Sequence, residues 1–223
     1  LVLWSEARAR QQLGAAEVNL PARIRIFVDE HRADVRALVE RCGYVPMRWY
    51  SELRRELSRP LPEASLAAGV RLEPYSQDRA EEVRVTHNEA FVRDHWGSQQ
   101  VDPEQWQLDV TGDESFMPTW SFVAIDTDTD RVVGYLISGA HEQDWAAQGF
   151  TEGWTSLVAV RREWRNRRVA AALLITAMQA YREGDMQYAG LGVDSANSTG
   201  ALGLYERLGY ERRRGIVMFA KEF

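Results

Sequence analysis

The sequence of 223 residues predicts a mixed α/β fold built on one sheet of mixed strand direction. Three observations predict it. Short apolar stretches with strand alternation are interspersed with longer stretches that carry apolar residues at helical spacing. Two closely spaced prolines divide an N-terminal segment from the rest. Short segments on the two sides of these prolines resemble each other in the same order.

A proline-rich segment marks the clearest domain boundary. Pro60 and Pro62 discourage both helix and sheet, so we assign residues 59–68 to a linker. Residues 1–58 precede this linker. A complete domain is expected over residues 69–223, and its first strand follows Gly69.

The first half of that domain shows two helical patterns and a hairpin. Residues 78–94 place apolar side chains three and four apart, and Pro103 opens a shorter helix. Strands are predicted at 119–125 and 131–138. The aspartate-rich turn 126–130 between them lacks the glycine and the distal glutamate of an EF-hand, so a solvated turn is expected.

The second half alternates between strand and helix patterns. The predicted elements are a strand at 154–160, an apolar helix at 169–181, a strand at 188–193, a helix at 199–208 that ends at Gly209, and a long strand or strand pair at 210–223.

An internal repeat links the two sides of the linker. Residues 37–44 match residues 203–210, and the similarity extends upstream to 24–29 against 188–194. We therefore interpret residues 1–58 as the last half of a first domain copy, whose earlier part would precede Leu1. The alternative is a chance match between two ordinary helix-glycine-strand units.

Composition and charge exclude several classes of protein. The net charge of −6 argues against a nucleic-acid binder, and no apolar run approaches the ~18 residues of a membrane span. Nothing resembles a signal peptide, so a cytoplasmic protein is predicted. The single cysteine, Cys42, is expected to be a core residue, and the four histidines lack metal-ligand spacing, so no metal is expected. The oligomeric state stays open, with a homodimer among the options.

A basic loop between a strand and a helix is the candidate anion site. The strand that ends at Val160 leads into a loop with Arg165, Arg167 and Arg168, and the helix then begins with small residues such as Ala170. A helix N-terminus presents unpaired N–H groups and a positive dipole end, which suits a pyrophosphate. The alternative is a solvated basic loop on a core helix.

Two motifs here resemble the GNAT superfamily of Gcn5-related N-acetyltransferases. The first, motif A, is matched by Val160, Arg165, Val169, Ala170 and Leu173. The second is matched by Asn197, Ala201, Tyr205, Glu206, Arg207, Gly209 and Tyr210. They lie ~30 residues apart on the expected strand-helix-strand-helix order. The paired arrangement is similar to tandem GNAT proteins of actinobacteria, the mycothiol-synthase-like type.

The resemblance implies acetyl-CoA as the acyl donor and a small amine as the acceptor. Backbone groups of Val158 and Val160 would pair with the pantetheine arm, and Asn197 would hydrogen-bond the same arm. Backbone amides from 166 to 171 would hold the pyrophosphate. The residues that the resemblance assigns to cofactor binding are therefore Val158, Val160, Arg165, Asn166, Arg167, Arg168, Val169, Ala170, Ala171 and Asn197.

The resemblance also implies direct attack of a neutral amine on the thioester. A backbone N–H on strand 157–160 would stabilise the oxyanion, and Tyr205 would act as general acid toward the CoA thiolate. A thiol pKa of roughly 8.5 and a phenol pKa of roughly 10 make that proton transfer only slightly uphill. The alternative for Tyr205 is a core aromatic residue.

The sequence departs from the family pattern at two loop positions. Asn166 and Arg168 stand where the family has glycines, and a Cβ at position 168 is expected to restrict the loop. In the first copy, Val39 occupies the place of Tyr205, so that copy is expected to be a scaffold. A catalytically silent acyl-CoA-binding or structural module is therefore the competing hypothesis. Arg168 favours it, whereas Tyr205 and Asn197 favour an enzyme.

No general base stands out in the sequence. The candidates near the strand ends are His141, Glu142, Asp144 and Glu152, and for each of them an ordinary surface residue is the favoured interpretation. The acceptor pocket is expected near His87, His95 and Trp96. The segment 94–97 is expected either to line this pocket or to be a simple helix end.

Overall fold

The computed structural model describes residues 1–15, 22–66, 68–92, 95–195 and 200–223. Its helices are α1 (Val2–Ala15), α2 (Ala33–Arg41), α3 (Ala80–Phe91), α4 (Pro103–Trp106), α5 (Glu142–Gln148), α6 (Val169–Glu183) and α7 (Ala201–Arg207). Its strands are β1 (Arg23–Asp29), β2 (Val45–Glu56), β3 (Val70–Pro74), β4 (Phe122–Asp126), β5 (Val132–Gly139), β6 (Glu152–Val160), β7 (Tyr188–Asp194) and β8 (Glu211–Glu222).

The strands follow the order β1-β8-β2-β7-β6-β5-β4-β3 in one sheet of eight strands. From β3 to β6 each neighbour runs antiparallel to the next, whereas β6 and β7 are parallel. The predicted mixed α/β class is therefore confirmed. Of the first sequence motif, Val160 ends β6, and Val169, Ala170 and Leu173 lie in α6.

The predicted elements occur in the predicted order, with one omission. Helix α5 was not predicted, because its seven residues have mostly exposed side chains and give no helical pattern; it ends at Gly149 with a φ of 78°. The closing segment is a single strand, β8, of 12 residues. In the turn after β4, the Asp126 carboxylate accepts a hydrogen bond from the Asp128 N–H at 3.1 Å, so that aspartate supports the turn itself.

The described part of the chain forms two compact units. One comprises Leu1–Glu52, Val193–Ala196 and Arg212–Phe223, and the other comprises Leu53–Gly192 and Asn197–Glu211. This grouping by contacts cuts across the division at residues 59–68, and the assignment of two domain copies stays a prediction. In this part of the chain, no helix has both the length and the apolar character needed to cross a membrane.

The smaller unit has a core of its own. Val28 on β1 and Val39 on α2 pack with Tyr44, Val217 and Phe219. Strands β1 and β8 pair antiparallel over seven residues, from Arg23↔Glu222 to Asp29↔Ile216.

In the smaller unit, Lys221 Nζ also lies 3.0 Å from a carboxylate oxygen of Glu6, and this buried carboxylate accepts from Arg10 at 2.8 Å. These two cations hold the pKa of Glu6 below its usual range, so the charge on this buried carboxylate is compensated.

The larger unit is organised by α6, which is apolar on most of its circumference. Its buried residues are Val169, Ala172, Leu173, Leu174, Ile175, Ala177, Met178 and Tyr181. The Tyr181 hydroxyl lies 2.7 Å from Ser138 Oγ on β5 and 3.1 Å from Thr155 Oγ1 on β6. Helix α6 is thus joined by hydrogen bonds to the two strands that carry the site, and burial raises the pKa of Tyr181 to about 12.

Gly153 on β6 provides a test of this packing. A Cβ at this position would lie 2.4 Å from the Tyr181 ring, so Gly153→Ala is expected to lower the free energy of unfolding by about 2 kcal/mol or more. Gly203→Ala on α7 is the matched control. Its Cβ would contact only the end of the Arg207 side chain, at 3.4 Å, and alanine favours helix by about 1 kcal/mol. Urea unfolding measures both changes, and equal effects would contradict the packing described here.

Candidate active site

Strands β6 and β7 separate part of the way along their length. They pair in parallel from Glu152↔Tyr188 to Thr155↔Leu191. On its other side, β6 pairs with β5 along its length, from Trp154 to Val160, with an irregularity that leaves Ser156 as an extra residue. The second half of β6 therefore has a paired edge toward β5, and its edge toward β7 has no strand partner among the residues that the structure describes.

The pairing register decides which backbone groups face that open edge. The Arg161 N–H donates to the Val133 carbonyl at 2.8 Å, and Tyr135 lies opposite Ala159. In an antiparallel pair, every second residue exchanges hydrogen bonds with the partner strand. Ala159 therefore directs its N–H and C=O toward β5, whereas Val158 and Val160 direct theirs toward the open edge, where the Val160 carbonyl already accepts from Arg165 Nε. These are the two residues that the sequence motif indicated.

The loop after β6 is attached to its surroundings by two arginines. Arg161 is buried, and its guanidinium donates to the Val132 carbonyl at 2.7 Å, to Thr86 Oγ1 at 3.0 Å and to the Glu89 carboxylate. Burial lowers the pKa of Arg161 from its ordinary value. Arg165 donates from Nε to the Val160 carbonyl at 3.0 Å and from Nη2 to the Ala90 carbonyl at 3.3 Å. The loop is thus fastened to α3 and β5.

The two positions without glycine keep the backbone conformation that glycine favours. Asn166 has a φ of 61° and Arg168 a φ of 62°, both in the left-handed region. Asparagine tolerates this region, whereas for arginine the left-handed conformation costs about 1 kcal/mol of conformational free energy. Arg168 was expected to restrict the loop, yet its backbone has the conformation that a glycine would adopt. Arginine in place of glycine costs conformational energy instead.

Arg168 is the N-cap of α6, and its side chain makes no capping hydrogen bond there. Its Nη1 lies 3.2 Å from Ser65 Oγ, while the Arg167 guanidinium stacks over the Trp164 ring at 4.8 Å. The first-turn amides of Val169, Ala170 and Ala171 thus begin a helix of 15 residues directly after a left-handed residue. Such amides have no acceptor within their own helix, so this end of α6 can bind an anion through its backbone.

Tyr205 lies on α7 and is 7% exposed. Its ring makes an edge-to-face contact with Tyr210, with centroids 5.9 Å apart. Burial raises the pKa of Tyr205 to about 12, so the hydroxyl is protonated at every physiological pH. Asn197, which the resemblance assigns to the pantetheine arm, lies outside the described residues.

The candidate bases lie on two elements, α5 with the residue before it and the start of β6. Glu152 begins β6, and its carboxylate accepts from Arg54 Nε at 3.0 Å. Glu142 and Asp144 are exposed in the first turn of α5, and His141 precedes them. None of these four lines the cavity described next, so the structure gives no support to a base among them.

A cavity of about 370 Å³ opens beside the irregularity in β6. Its lining residues are His87, Val101, Trp106, Asp109, Val110, Asp113, Ser115, Phe116, Ile137, Ser138, Ser156 and Leu157. Its size is in the range of small-molecule sites, and most of the wall is apolar. Of the three residues expected here, His87 lines the cavity, whereas His95 and Trp96 do not.

His87 belongs to a column of stacked rings. Its ring lies 4.6 Å from that of Phe91, which in turn lies 3.7 Å from the His95 ring. Its Nδ1 is 2.6 Å from the Tyr135 hydroxyl, and burial lowers the pKa of His87 to about 4. The imidazole is therefore neutral at physiological pH, which makes it a weak base and a polar group of the wall.

One side of the cavity carries residues that the sequence analysis missed. Asp113 and Ser115 follow α4, and Phe116 forms a bridge to Gly139 at the end of β5. That long-range bridge brings Ser115 to Ser156. In the sequence, residues 112–115 have only the polar character of an ordinary turn, so no local signal identifies them.

Comparisons with known proteins agree with this geometry. Residues 118–212 match the family model described as an acetyltransferase (GNAT) domain. The chain is similar to the mycothiol acetyltransferase of Thermobispora bispora, at 31% identity over 185 residues. A protein of the same name from Rhodococcus erythropolis is 31% identical over 182 residues.

These matches include 80% and 79% of this chain but only 59% and 58% of the two relatives. The chain thus spans less than two thirds of the length of the curated relatives that it matches.

Solved structures share the fold. A GCN5-related N-acetyltransferase from Sphaerobacter thermophilus superposes with a TM-score of 0.81 at 24% identity, over 99% of this chain and 66% of that one. A tandem GNAT protein from the clavulanic acid biosynthesis pathway superposes with a TM-score of 0.66 at 14% identity, over 99% and 69%. At these identities the likeness concerns the fold, and it confirms the expected mixed α/β fold of the GNAT type.

The backbone strain at Arg168 can be measured. Arg168→Gly is expected to raise the free energy of unfolding by about 1 kcal/mol, because glycine adopts a positive φ without a Cβ clash. Arg167→Gly is the control, since the backbone of Arg167 itself has no positive φ, and glycine there only adds freedom to the unfolded chain and should lower stability. Chemical denaturation compares them. A loss of stability in both variants would contradict the strained loop.

Proposed function

Because the chain carries a GNAT acetyltransferase domain, we propose that it is an acetyl-CoA-dependent N-acetyltransferase that acts on a small-molecule or amino-terminal amine. One observation carries the proposal. The backbone edge of Val158 and Val160, the left-handed loop and the first turn of α6 follow one another without interruption. That series offers a hydrogen-bonding edge and then an anion site, in the order of a pantetheine arm and its pyrophosphate.

The donor is held mainly by backbone in this proposal. The pantetheine arm pairs with the open edge of β6 as an added strand would. The pyrophosphate meets the amides of Val169, Ala170 and Ala171 at the N-terminus of α6. Arg167 and Arg168 are exposed nearby and add positive charge, whereas Arg165 acts by holding the loop.

The alternative of a catalytically silent module loses its sequence argument. It rested on Arg168, yet the backbone there follows the path that a glycine would take. Tyr205 therefore still favours an enzyme, and the loop at Arg168 no longer argues against one.

The proposed reaction is direct transfer of the acetyl group. A neutral amine attacks the thioester carbonyl, a backbone N–H of the Val158–Val160 edge stabilises the oxyanion, and the carbon–sulfur bond then breaks. The attacking nitrogen loses one proton, and the departing CoA sulfur gains one. The products are an amide and a thiol, so protons and charge balance.

Tyr205 has a modified part in this scheme. A pKa of about 12 against a thiol pKa of ~8.5 makes full proton transfer uphill by about 5 kcal/mol, more than the slight cost that the sequence suggested. Tyr205 therefore acts chiefly as a hydrogen-bond donor to the developing thiolate, and solvent completes its protonation.

The relatives bear the name mycothiol acetyltransferase, so a mycothiol-type amine is the first acceptor to try. The two-copy arrangement, with residues 1–58 as the end of a first copy and 69–223 as the second, is part of the proposal. It is supported by matched elements, since β1 and β7 have seven residues each and β2 and β8 have twelve each. A cytoplasmic location stays a prediction.

Binding of the donor is tested first by thermal stability. Millimolar acetyl-CoA is expected to raise the melting temperature, because a ligand that binds only the folded state stabilises it. Desulfo-CoA serves as a control for binding without chemistry and is expected to give a similar shift. No shift with either ligand would overturn the proposal.

Catalysis is tested by release of free thiol from acetyl-CoA in the presence of amines. Tyr205→Phe is expected to lower kcat by about 10²-fold, because the donor to the sulfur is lost while the ring stays. Tyr188→Phe on β7 is the control and should retain the native rate. Equal rates for native protein and Tyr205→Phe would refute the role of this hydroxyl.

The pH profile is a separate check on Tyr205. Since burial raises its pKa to about 12, the donor form persists below that value and is lost only above it. The kcat/KM value should therefore rise as the amine deprotonates and show no decline up to about pH 10. A decline near pH 10 in the native enzyme that disappears in Tyr205→Phe would contradict the raised pKa.

A further inference from the structure

We propose that Asp113, together with Ser115, holds the acceptor as a cationic amine beside Ser156, so that the substrate is a small primary amine with an apolar body. This proposal rests on the proposed function, whose acceptor it specifies. It depends on a group of residues that the family motifs do not include.

The first step is the arrangement of two hydroxyl groups over a glycine. A Cβ placed on Gly139 would lie 3.2 Å from Ser115 Oγ and 3.3 Å from Ser156 Oγ. The two hydroxyls thus flank one point above a bare Cα, and a side chain there would fill the space between them. We call Ser115, Gly139 and Ser156 the hydroxyl cradle.

The second step is the orientation of Ser115 by Asp113. Asp113 Oδ1 accepts from the Ser115 N–H at 2.8 Å and also from the Ser115 hydroxyl. Because the hydroxyl proton points to the carboxylate, the lone pairs of Ser115 Oγ are left to accept from a ligand N–H. These two hydrogen bonds hold the pKa of Asp113 below its ordinary value, so the carboxylate is charged at neutral pH.

The third step is the charge of the wall. Among the described residues that line the cavity, Asp109 and Asp113 are acidic and none is lysine or arginine. His87 is neutral at physiological pH, as described above. An ammonium group therefore meets net negative charge at the rim, whereas a carboxylate would be repelled.

The fourth step is the position and shape of the cavity. Ser156 and Leu157 belong both to its wall and to the irregular part of β6, next to the edge where the thioester is proposed to lie. The wall also contains the apolar side chains of Val101, Trp106 and Phe116. A molecule that places its nitrogen in the hydroxyl cradle thus brings that nitrogen beside the donor and its apolar body against these rings.

Recognition of the cation and the chemistry are successive events. The ammonium binds through Asp113 and Ser115, gives one proton to solvent, and attacks as the neutral amine. Asp113 is therefore a positioning residue, and its loss should act on substrate binding more than on the chemical step.

The test uses pairs of ligands that differ in one group. A panel of primary alkylamines and arylalkylamines, each with the alcohol of the same carbon skeleton, is titrated calorimetrically into the full chain saturated with CoA. At least some amines should bind about tenfold more tightly than their alcohols, because a charge-assisted hydrogen bond is lost in the alcohol. Equal affinities throughout the panel would overturn the proposal.

Three variants and one control assign the effect to residues. Asp113→Asn should abolish the preference for amine over alcohol and leave the alcohol affinity unchanged, and Ser115→Ala should reduce that preference. Gly139→Ala should weaken both ligands by filling the cradle. Asp128→Asn, in the exposed turn after β4, is the control and should match the native protein. If Asp113→Asn weakens amine and alcohol equally, or neither, the proposal is wrong.

Steady-state kinetics separate this proposal from the proposed function. With a turned-over amine, Asp113→Asn should raise KM about tenfold and change kcat little. If thiol is released but Asp113→Asn leaves KM unchanged, the cation site is refuted and the acetyltransferase stands. If the amine preference depends on Asp113 but no amine releases thiol, the acetyltransferase fails and the cation site stands.

Discussion

The separation of β6 from β7 after the Thr155↔Leu191 pair is the constraint on which the rest of the site depends. A sheet normally satisfies its backbone groups by pairing on both sides. Here β5 satisfies one side of β6, and the register leaves the backbone groups of Val158 and Val160 on the other. That edge leads into the loop and the first turn of α6, and the cavity lies beside Ser156, at the irregularity between β5 and β6.

Backbone groups, rather than charged side chains, form most of the proposed acetyl-CoA site. Two arginines of the loop act within the protein: Arg161 and Arg165 donate to carbonyls and to a carboxylate. Their effect is to fix the loop so that Asn166 and Arg168 can adopt left-handed conformations. The α6 amides are therefore held in position at the cost of local backbone strain, and buried hydrogen bonds stabilise the strained loop.

Sequence reasoning was sufficient where structure follows from local periodicity. The periodicity predicted the strand that became β6 and the helix that became α7, and the family resemblance then singled out Val158 and Val160 on the former and Tyr205 on the latter. It failed where distant segments meet. Ser115 reaches Ser156 through the bridge from Phe116 to Gly139, and the short helix α5 has no apolar face to reveal it. Burial, which raises the pKa of Tyr205 to about 12, is likewise a tertiary property.

Amide hydrogen exchange resolved by residue, measured with and without saturating acetyl-CoA, tests the central claim most directly. If the donor pairs with the open edge of β6, exchange should slow at the N–H groups of Val158 and Val160 and at the first turn of α6. It should change little at Ala159, whose N–H already faces β5. Protection that spreads equally over Val158, Ala159 and Val160, or that is absent from all three while acetyl-CoA is bound, would contradict the account.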